Sequence, residues 1–118
     1  MAADFEGSAM ALTYLAAPYS HQDPEVRRMR YWSSVMKAAE MMKSGECVFS
    51  PIAHTHEIGL MMGDAVNHDF WMQQDREILK HCEKLAVLML PGWMESSGVS
   101  EEISVARAIG IPVEYVEP

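Results

Sequence analysis

The sequence predicts an α/β fold, a three-layer sandwich built on a small parallel sheet of the flavodoxin-like or Rossmann-like kind. Three observations lead there. Short apolar runs alternate with stretches of helical periodicity from Leu12 to Val116. The first of those runs, residues 12–17, carries no charge, which suits a central strand covered on both faces. After the run at residues 85–90 comes Pro91-Gly92-Trp93-Met94-Glu95-Ser96-Ser97-Gly98 and then a helical pattern. Such a strand–loop–helix corner sits at the carboxyl edge of an open sheet, where ligands bind.

Taken in order, residues 12–17 read as the first strand, ended by Pro18, with residues 18–21 as its carboxyl-end loop. Pro24 and Glu25 open a helix, because proline is tolerated at the first helical position and an acid suits the first turn. Val26, Met29, Trp32, Met36 and Ala39 follow a helical stripe, and Gly45 stops it. Residues 47–49 make a second strand, closed by Ser50-Pro51. Residues 53–62 read as a short helix ending at Gly63, and residues 64–68 as a turn, with Asn67 or His68 near the start of the next helix. That helix runs to about Cys82, with Asp69, Gln73, Arg76 and Lys80 on a polar stripe and Trp71, Asp75, Ile78, Leu79 and Cys82 opposite. Residues 85–90 form the third strand. Ser97 or Ser100 caps the last helix, Gly110-Ile111-Pro112 ends it, and residues 113–116 form a fourth strand. Strands alternating with helices imply parallel pairing through right-handed crossovers.

With 118 residues, nearly half of them apolar, the chain is long enough for one packed core. The expected organisation is a loose tail at residues 1–10 and one domain at 11–118. The net charge is −8, which argues against a nucleic acid polymer as partner, since that needs clustered positive charge. Arg27, Arg28, Arg30, Lys37 and Lys43 are spread along one helix and interrupted by Glu40, and read as a solvated face. No apolar run approaches the ~20 residues that span a bilayer, and no signal peptide is visible. Cys47 and Cys82 read as free thiols in a reducing, cytoplasmic setting. Eleven methionines, several in pairs, suit either core filling or a subunit contact.

Two acids stand out. On the last helix, Glu101 shares a polar stripe with Ser104 and Arg107, whereas Glu102 shares a side with Val99, Ile103, Ala106 and Ile109. Glu102 is therefore expected at the margin of the core. Asp75 sits between Trp71, Ile78 and Leu79, and an acid on an apolar face must be partnered or functional. If folding brings both into one cleft, their roles divide. Glu102, near a helix N-terminus, is expected to stay ionised and act as a nucleophile, while the pKa of Asp75 rises so that it can hold a proton. Retaining glycosyl transfer uses that division. Tyr14 and Tyr19 are candidates to orient the nucleophile through a phenol. Trp71 and Trp93 are candidates to stack on a base, with Trp71 the better fit to a core position. His54 and His56 would point the same way in an extended segment and, with His68, offer a metal site, but spacing fixes no third ligand and no metal or other cofactor is assigned.

The segments Tyr14-Leu15-Ala16-Ala17-Pro18-Tyr19, Gln74-Asp75 and Ser96-Ser97-Gly98-Val99-Ser100-Glu101-Glu102, with Ala106-Arg107-Ala108-Ile109-Gly110-Ile111-Pro112-Val113, together resemble the nucleoside 2-deoxyribosyltransferase superfamily, including its nucleotide N-glycosidase branch. The resemblance implies Glu102 as nucleophile on C1′ of a sugar, Asp75 assisting proton transfer or holding the sugar, and Tyr14 beside the nucleophile. It also implies substrate contacts from Ala17, Tyr19, Ser96, Ser97, Gly98 and Trp93, and a homo-oligomer. Two positions depart from the pattern. Ser96 stands six residues before Glu102, where deoxyribosyltransferases have an acid. Ala17-Pro18-Tyr19 replaces the polar, glycine-rich residues of the phosphate-binding branch. The expected activity is hydrolysis or transfer at the N-glycosidic bond of a small nucleoside or nucleotide. The alternatives are a non-catalytic nucleotide-binding sensor of the same fold and a histidine-based metal hydrolase.

Overall fold

In the computed structural model, which describes residues 11–63 and 66–118, four strands and four helices alternate along the chain except for two successive helices between the second and third strands. The expected tail at residues 1–10, and Asp64 in the expected turn, lie outside the described residues. The elements are β1 (Leu12–Ala16), α1 (Pro24–Lys43), β2 (Cys47–Phe49), α2 (Pro51–Met62), α3 (His68–Leu79), β3 (Lys84–Leu88), α4 (Ser97–Ile109) and β4 (Val113–Val116), with one 3₁₀ turn at Trp93–Glu95. The sheet is parallel throughout, in the order β2-β1-β3-β4. β1, which carries no charge, is central as expected, and β3 lies beside it with Leu85 to Leu88 fully buried, because only there do both faces lose contact with water.

The two-residue period of β1 and β3 sorts the layers. Leu15, Ala17, Ala86 and Leu88 face one side and pack with Ala38 and Met41 of α1 and Ile52 of α2. Tyr14, Ala16, Leu85 and Val87 face the other and pack with Leu79 at the end of α3 and Val99 and Ala106 of α4. Each fully buried Leu or Val adds roughly 1.5–3 kcal/mol, so these two clusters hold the sandwich together. β1 sends its crossover through α1 to β2 on one side, while β3 lies on its other side. The strand order therefore reverses at β1, and a crevice opens beyond the carboxyl ends of β1 and β3.

Several boundaries move. β1 ends at Ala16 and β3 runs Lys84–Leu88, shorter than their apolar runs, because the chain leaves the ladder before the apolar residues stop. α2 begins at Pro51, not residue 53: Ser50 caps it by accepting from the Ala53 amide at 3.2 Å. α3 ends at Leu79, short of Cys82. Its cap is Asn67, whose Oδ1 accepts from the Phe70 amide at 3.0 Å. Neither Ser97 nor Ser100 caps α4. Ser96 does, accepting from the Val99 amide at 3.2 Å, and Ser97 is already in the first turn. Gly110 closes α4 in the left-handed conformation, φ 81°.

The largest surprise is α1. Its buried residues are Ser34, Ala38 and Met41, while Met29, Trp32 and Met36 are 66%, 51% and 68% exposed. The sheet is narrow, so a 20-residue helix can press only one stripe against it, and the methionine–tryptophan stripe lies elsewhere.

Replacing Ser96 by alanine removes the α4 cap and is expected to lower stability by about 1 kcal/mol, read as a shift of the urea midpoint at unchanged slope.

Candidate active site

Over the crevice lies a cavity of about 600 Å³. Three loops and the inner sides of α2 and α3 frame it. The loop after β1 brings Ala17 and Tyr19, the loop after β3 brings Gly92, Glu95 and Ser96, and α4 brings Ser97, Gly98 and Glu102. From α3 come Trp71, Met72 and Asp75, and from α2 Ile52, Thr55, His56 and Gly59. The last four follow helical spacing, i, i+3, i+4, i+7, so they form one face.

Glu102 is 5% exposed, at the cavity end of α4's buried stripe with Val99 and Ala106. Its Oε2 accepts a short hydrogen bond from the phenol of Tyr14, which points from the middle of β1 onto the same face. Asp75 is half-buried, one turn beyond Trp71 on α3, and lines the same cavity. Folding thus brings 14, 75 and 102 together from three elements, and mid-helix Asp75 does reach the carboxyl edge.

The electrostatics differ from the expected division. Burial pushes the Glu102 carboxyl up to about 8; the Tyr14 hydrogen bond pulls it down, and the charges of Asp75 and Glu101 add to the rise. Asp75 is raised to about 6, mainly by burial, with His68 opposing. Both acids are raised, and Glu102, not Asp75, is the more strongly raised. The helix terminus cannot prevent this, because dipole stabilisation fades within the first turn and Glu102 lies beyond it. Tyr14 is held well above the ordinary phenol range by burial and the two acids, so it keeps its proton and donates it.

Other expected residues divide. Ala17, Tyr19, Ser96, Ser97 and Gly98 line the cavity. Tyr19 does not orient Glu102; its hydroxyl meets Nδ1 of His56 at 2.6 Å. Trp93 does not line the cavity. It packs on the α3–α4 core cluster and against Tyr115, centroids 5.4 Å apart, because the 3₁₀ turn directs it toward β4. Trp71, expected in the core, is the tryptophan at the cavity, with its Cζ2 3.4 Å from the position a Cβ on Gly59 would take.

The three histidines do not form a metal site. His54 and His56 lie on a helix, where residues two apart point apart. His54 is exposed beside Phe49, His56 is engaged by Tyr19, and His68 pairs with Glu101 at 3.1 Å. Among the described residues, no three His, Cys, Asp or Glu side chains gather to hold a metal ion.

Arg27 and Arg30 correct a further expectation. They line the cavity instead of forming a solvated face. Arg30 donates to the Ser20 carbonyl at 3.0 Å and the Pro91 carbonyl at 3.2 Å, joining the two loops that flank the crevice. Gly92 permits this. It sits at φ 91°, and a Cβ there would lie 2.7 Å from Arg30 Nη2. Sequence reasoning missed Arg27, Arg30, Thr55 and His56. The 52-55-56-59 spacing was the available signal for the last two.

A carboxyl raised from 4.5 to about 8 disfavours ionisation in the folded state. The folded state then binds more protons than the unfolded one between those values, so this group's contribution to stability falls as pH rises through that window. Glu102→Gln removes the burden. It is expected to unfold at a higher denaturant midpoint than the parent at pH 8.5, by up to about 5 kcal/mol, with the gap nearly closing at pH 4.5.

Comparison with known proteins agrees with this architecture. A 2-deoxyribosyltransferase from the psychrotolerant bacterium Bacillus psychrosaccharolyticus superposes with a TM-score of 0.65 at 20% identity, over 92% of this chain and 73% of that one. The fold is that of the 2-deoxyribosyltransferases, a flavodoxin-like sandwich. No curated protein matches by sequence. The model of a domain of unknown function, DUF1937, matches residues 11–117, and the chain belongs to that family.

Proposed function

We propose that the protein cleaves the N-glycosidic bond of a small nucleoside or nucleotide, through a covalent intermediate on Glu102. The observation that carries this reading is the pair of raised acids lining one cavity, with a phenol donating to one of them. The likeness of fold to a 2-deoxyribosyltransferase supports it.

In the first step an Oε of ionised Glu102 attacks C1′. The bond from C1′ to the base nitrogen breaks, its electron pair leaves with the base, and Asp75 supplies the proton. Positive charge builds at the sugar carbon in the transition state, which favours the carboxylate form of Glu102 at the moment it is needed. Tyr14 holds the attacking group in one orientation. In the second step water or a second base attacks C1′, Glu102 leaves, and Asp75 takes back a proton.

This mechanism needs Glu102 ionised while Asp75 is protonated, the reverse of their order of acidity. Because burial raises Glu102 more strongly than Asp75, that arrangement is the minor form of the singly protonated enzyme.

A homo-oligomer is part of the same reading. Met29, Trp32 and Met36 on α1 are exposed, as is Met61 on α2, and exposed apolar side chains grouped on one helix mark an interaction surface. The substrate is a small molecule and not a nucleic acid polymer, in keeping with the net charge of −8. Among the described residues no helix is long and apolar enough to cross a membrane. Cys47 and Cys82 are free thiols, which fits a cytoplasmic location.

A panel of nucleosides and nucleotides, followed by chromatography for free base, tests the activity. Glu102→Gln is expected to release no base, a loss of at least 10³-fold, and retained turnover would end the assignment. In the active enzyme kcat/KM should trace a bell with limbs near pH 6 and pH 8. Asp75→Asn should leave only the rising limb. A binding module without catalysis would show ligand-dependent thermal stabilisation and no released base. Light scattering should find a dimer or tetramer that Met36→Glu dissociates, and a parent monomer at micromolar concentration would refute the interface.

A further inference from the structure

Tyr19, Tyr31 and His56 take no part in the steps above, yet they are built together at the cavity from three separate elements. Tyr19 follows β1, Tyr31 is on α1 and His56 is on α2. The phenol oxygen of Tyr19 is 2.6 Å from His56 Nδ1. The Tyr31 ring stacks on the imidazole, with centroids 4.1 Å apart and planes 19° apart. The Tyr19 ring meets it edge-on, at 5.7 Å and 82°. The imidazole is thereby fixed in position, in plane and in hydrogen-bond partner.

Burial holds the Tyr19 phenol above its ordinary pKa, with Arg27 opposing, so the phenol keeps a proton that it can donate to Nδ1. An imidazole that accepts at Nδ1 carries its own hydrogen at Nε2. In that arrangement His56, which lines the cavity, presents an N–H donor.

The cavity has two chemical halves. Its α3–α4 side carries Asp75 and Glu102, and its α2 side carries Ile52, Thr55 and His56, with Trp71 across from Gly59. A nucleoside has two matching halves, a hydroxylated ring bonded at C1′ and a flat heterocycle edged with hydrogen-bond acceptors. We infer that His56 is the residue that reads the departing heterocycle, donating from Nε2 to a ring nitrogen or carbonyl oxygen, and that Tyr19 is the positioning residue that sets its tautomer. The inference rests on the N-glycosidic reading above and names the feature of the substrate that the same site selects. As the C1′–N bond breaks, the electron pair that leaves with the base spreads over its ring nitrogens and exocyclic oxygens. A hydrogen bond to one of those atoms is then stronger in the transition state than in the bound substrate and speeds departure. No proton leaves His56, since Asp75 supplies the one required.

The test has two arms, on the whole protein. In the first, the nucleoside that the panel finds turned over is compared with analogues in which one ring nitrogen is replaced by C–H or one carbonyl oxygen by hydrogen. The parent enzyme should favour the natural base over one such analogue by about 10- to 100-fold in kcat/KM. His56→Ala should abolish that preference, and His56→Gln, which keeps an N–H donor, should restore part of it. A preference undiminished in His56→Ala overturns the inference. The second arm needs no turnover. In ¹⁵N-histidine spectra His56 should be the Nε2–H tautomer and become a mixture in Tyr19→Phe, and addition of free adenine or uracil should shift its Nε2 resonance. An Nδ1–H tautomer, or no shift with either base, overturns the inference. A base-induced shift in a protein that cleaves no nucleoside refutes the enzymatic reading and leaves base recognition by His56 standing.

Discussion

The candidate site depends on one buried interaction, the hydrogen bond from the Tyr14 phenol to the Glu102 carboxyl. A carboxylate without solvent or a cation is costly to ionise, and no lysine or arginine side chain pairs with Glu102 among the described residues. A neutral donor is the softer solution. It orients the acid and stabilises its charge in part, but leaves it reactive, with a pKa that climbs instead of falling. An arginine in the place of Tyr14 would have paired the charge and held the carboxyl in its ionised form with a lowered pKa. The fold accepts a lower stability at high pH in return for a poised acid.

Everything else positions that contact. β1 is central, so Tyr14 is fully buried and its ring cannot swing away. α4 is capped by Ser96, which places Glu102 on the stripe of Val99 and Ala106 and faces it to the sheet. α3 sets Asp75 on the cavity wall one turn after Trp71. Arg30 then ties the loop after β1 to the loop after β3, and the absence of a side chain at Gly92 makes room for its guanidinium. The two walls of the crevice are held at fixed separation by groups that do not themselves react.

Comparing these particular residues shows where sequence reasoning succeeds. Glu102 was legible because helical periodicity assigns it a side, and its neighbours on that side are apolar. Asp75 was legible for the same reason. Tyr14 was legible by its place early in an uncharged run. The order of the two pKa values was not legible, because it depends on how completely each group loses water, and depth of burial is a property of all the layers together. His56 was hidden because it was weighed as a metal ligand in an extended segment, although helical spacing from Ile52 sets Thr55, His56 and Gly59 on one inner face of α2. Trp93 was misjudged because a 3₁₀ turn reverses the direction a loop residue would otherwise take.

The sequence by itself determined the element types, the central place of the uncharged first strand, and the inward sides of α3 and α4. Those follow from periods of two and 3.6 residues and from the cost of burying charge, which act within a few residues of each position. Only the tertiary structure decided which stripe of α1 meets the sheet, which tryptophan reaches the cavity, that Arg27 and Arg30 turn inward, and that Tyr19 holds His56 and not Glu102. Each of those depends on residues far apart in the chain competing for one volume, and local pattern carries no record of which of them wins.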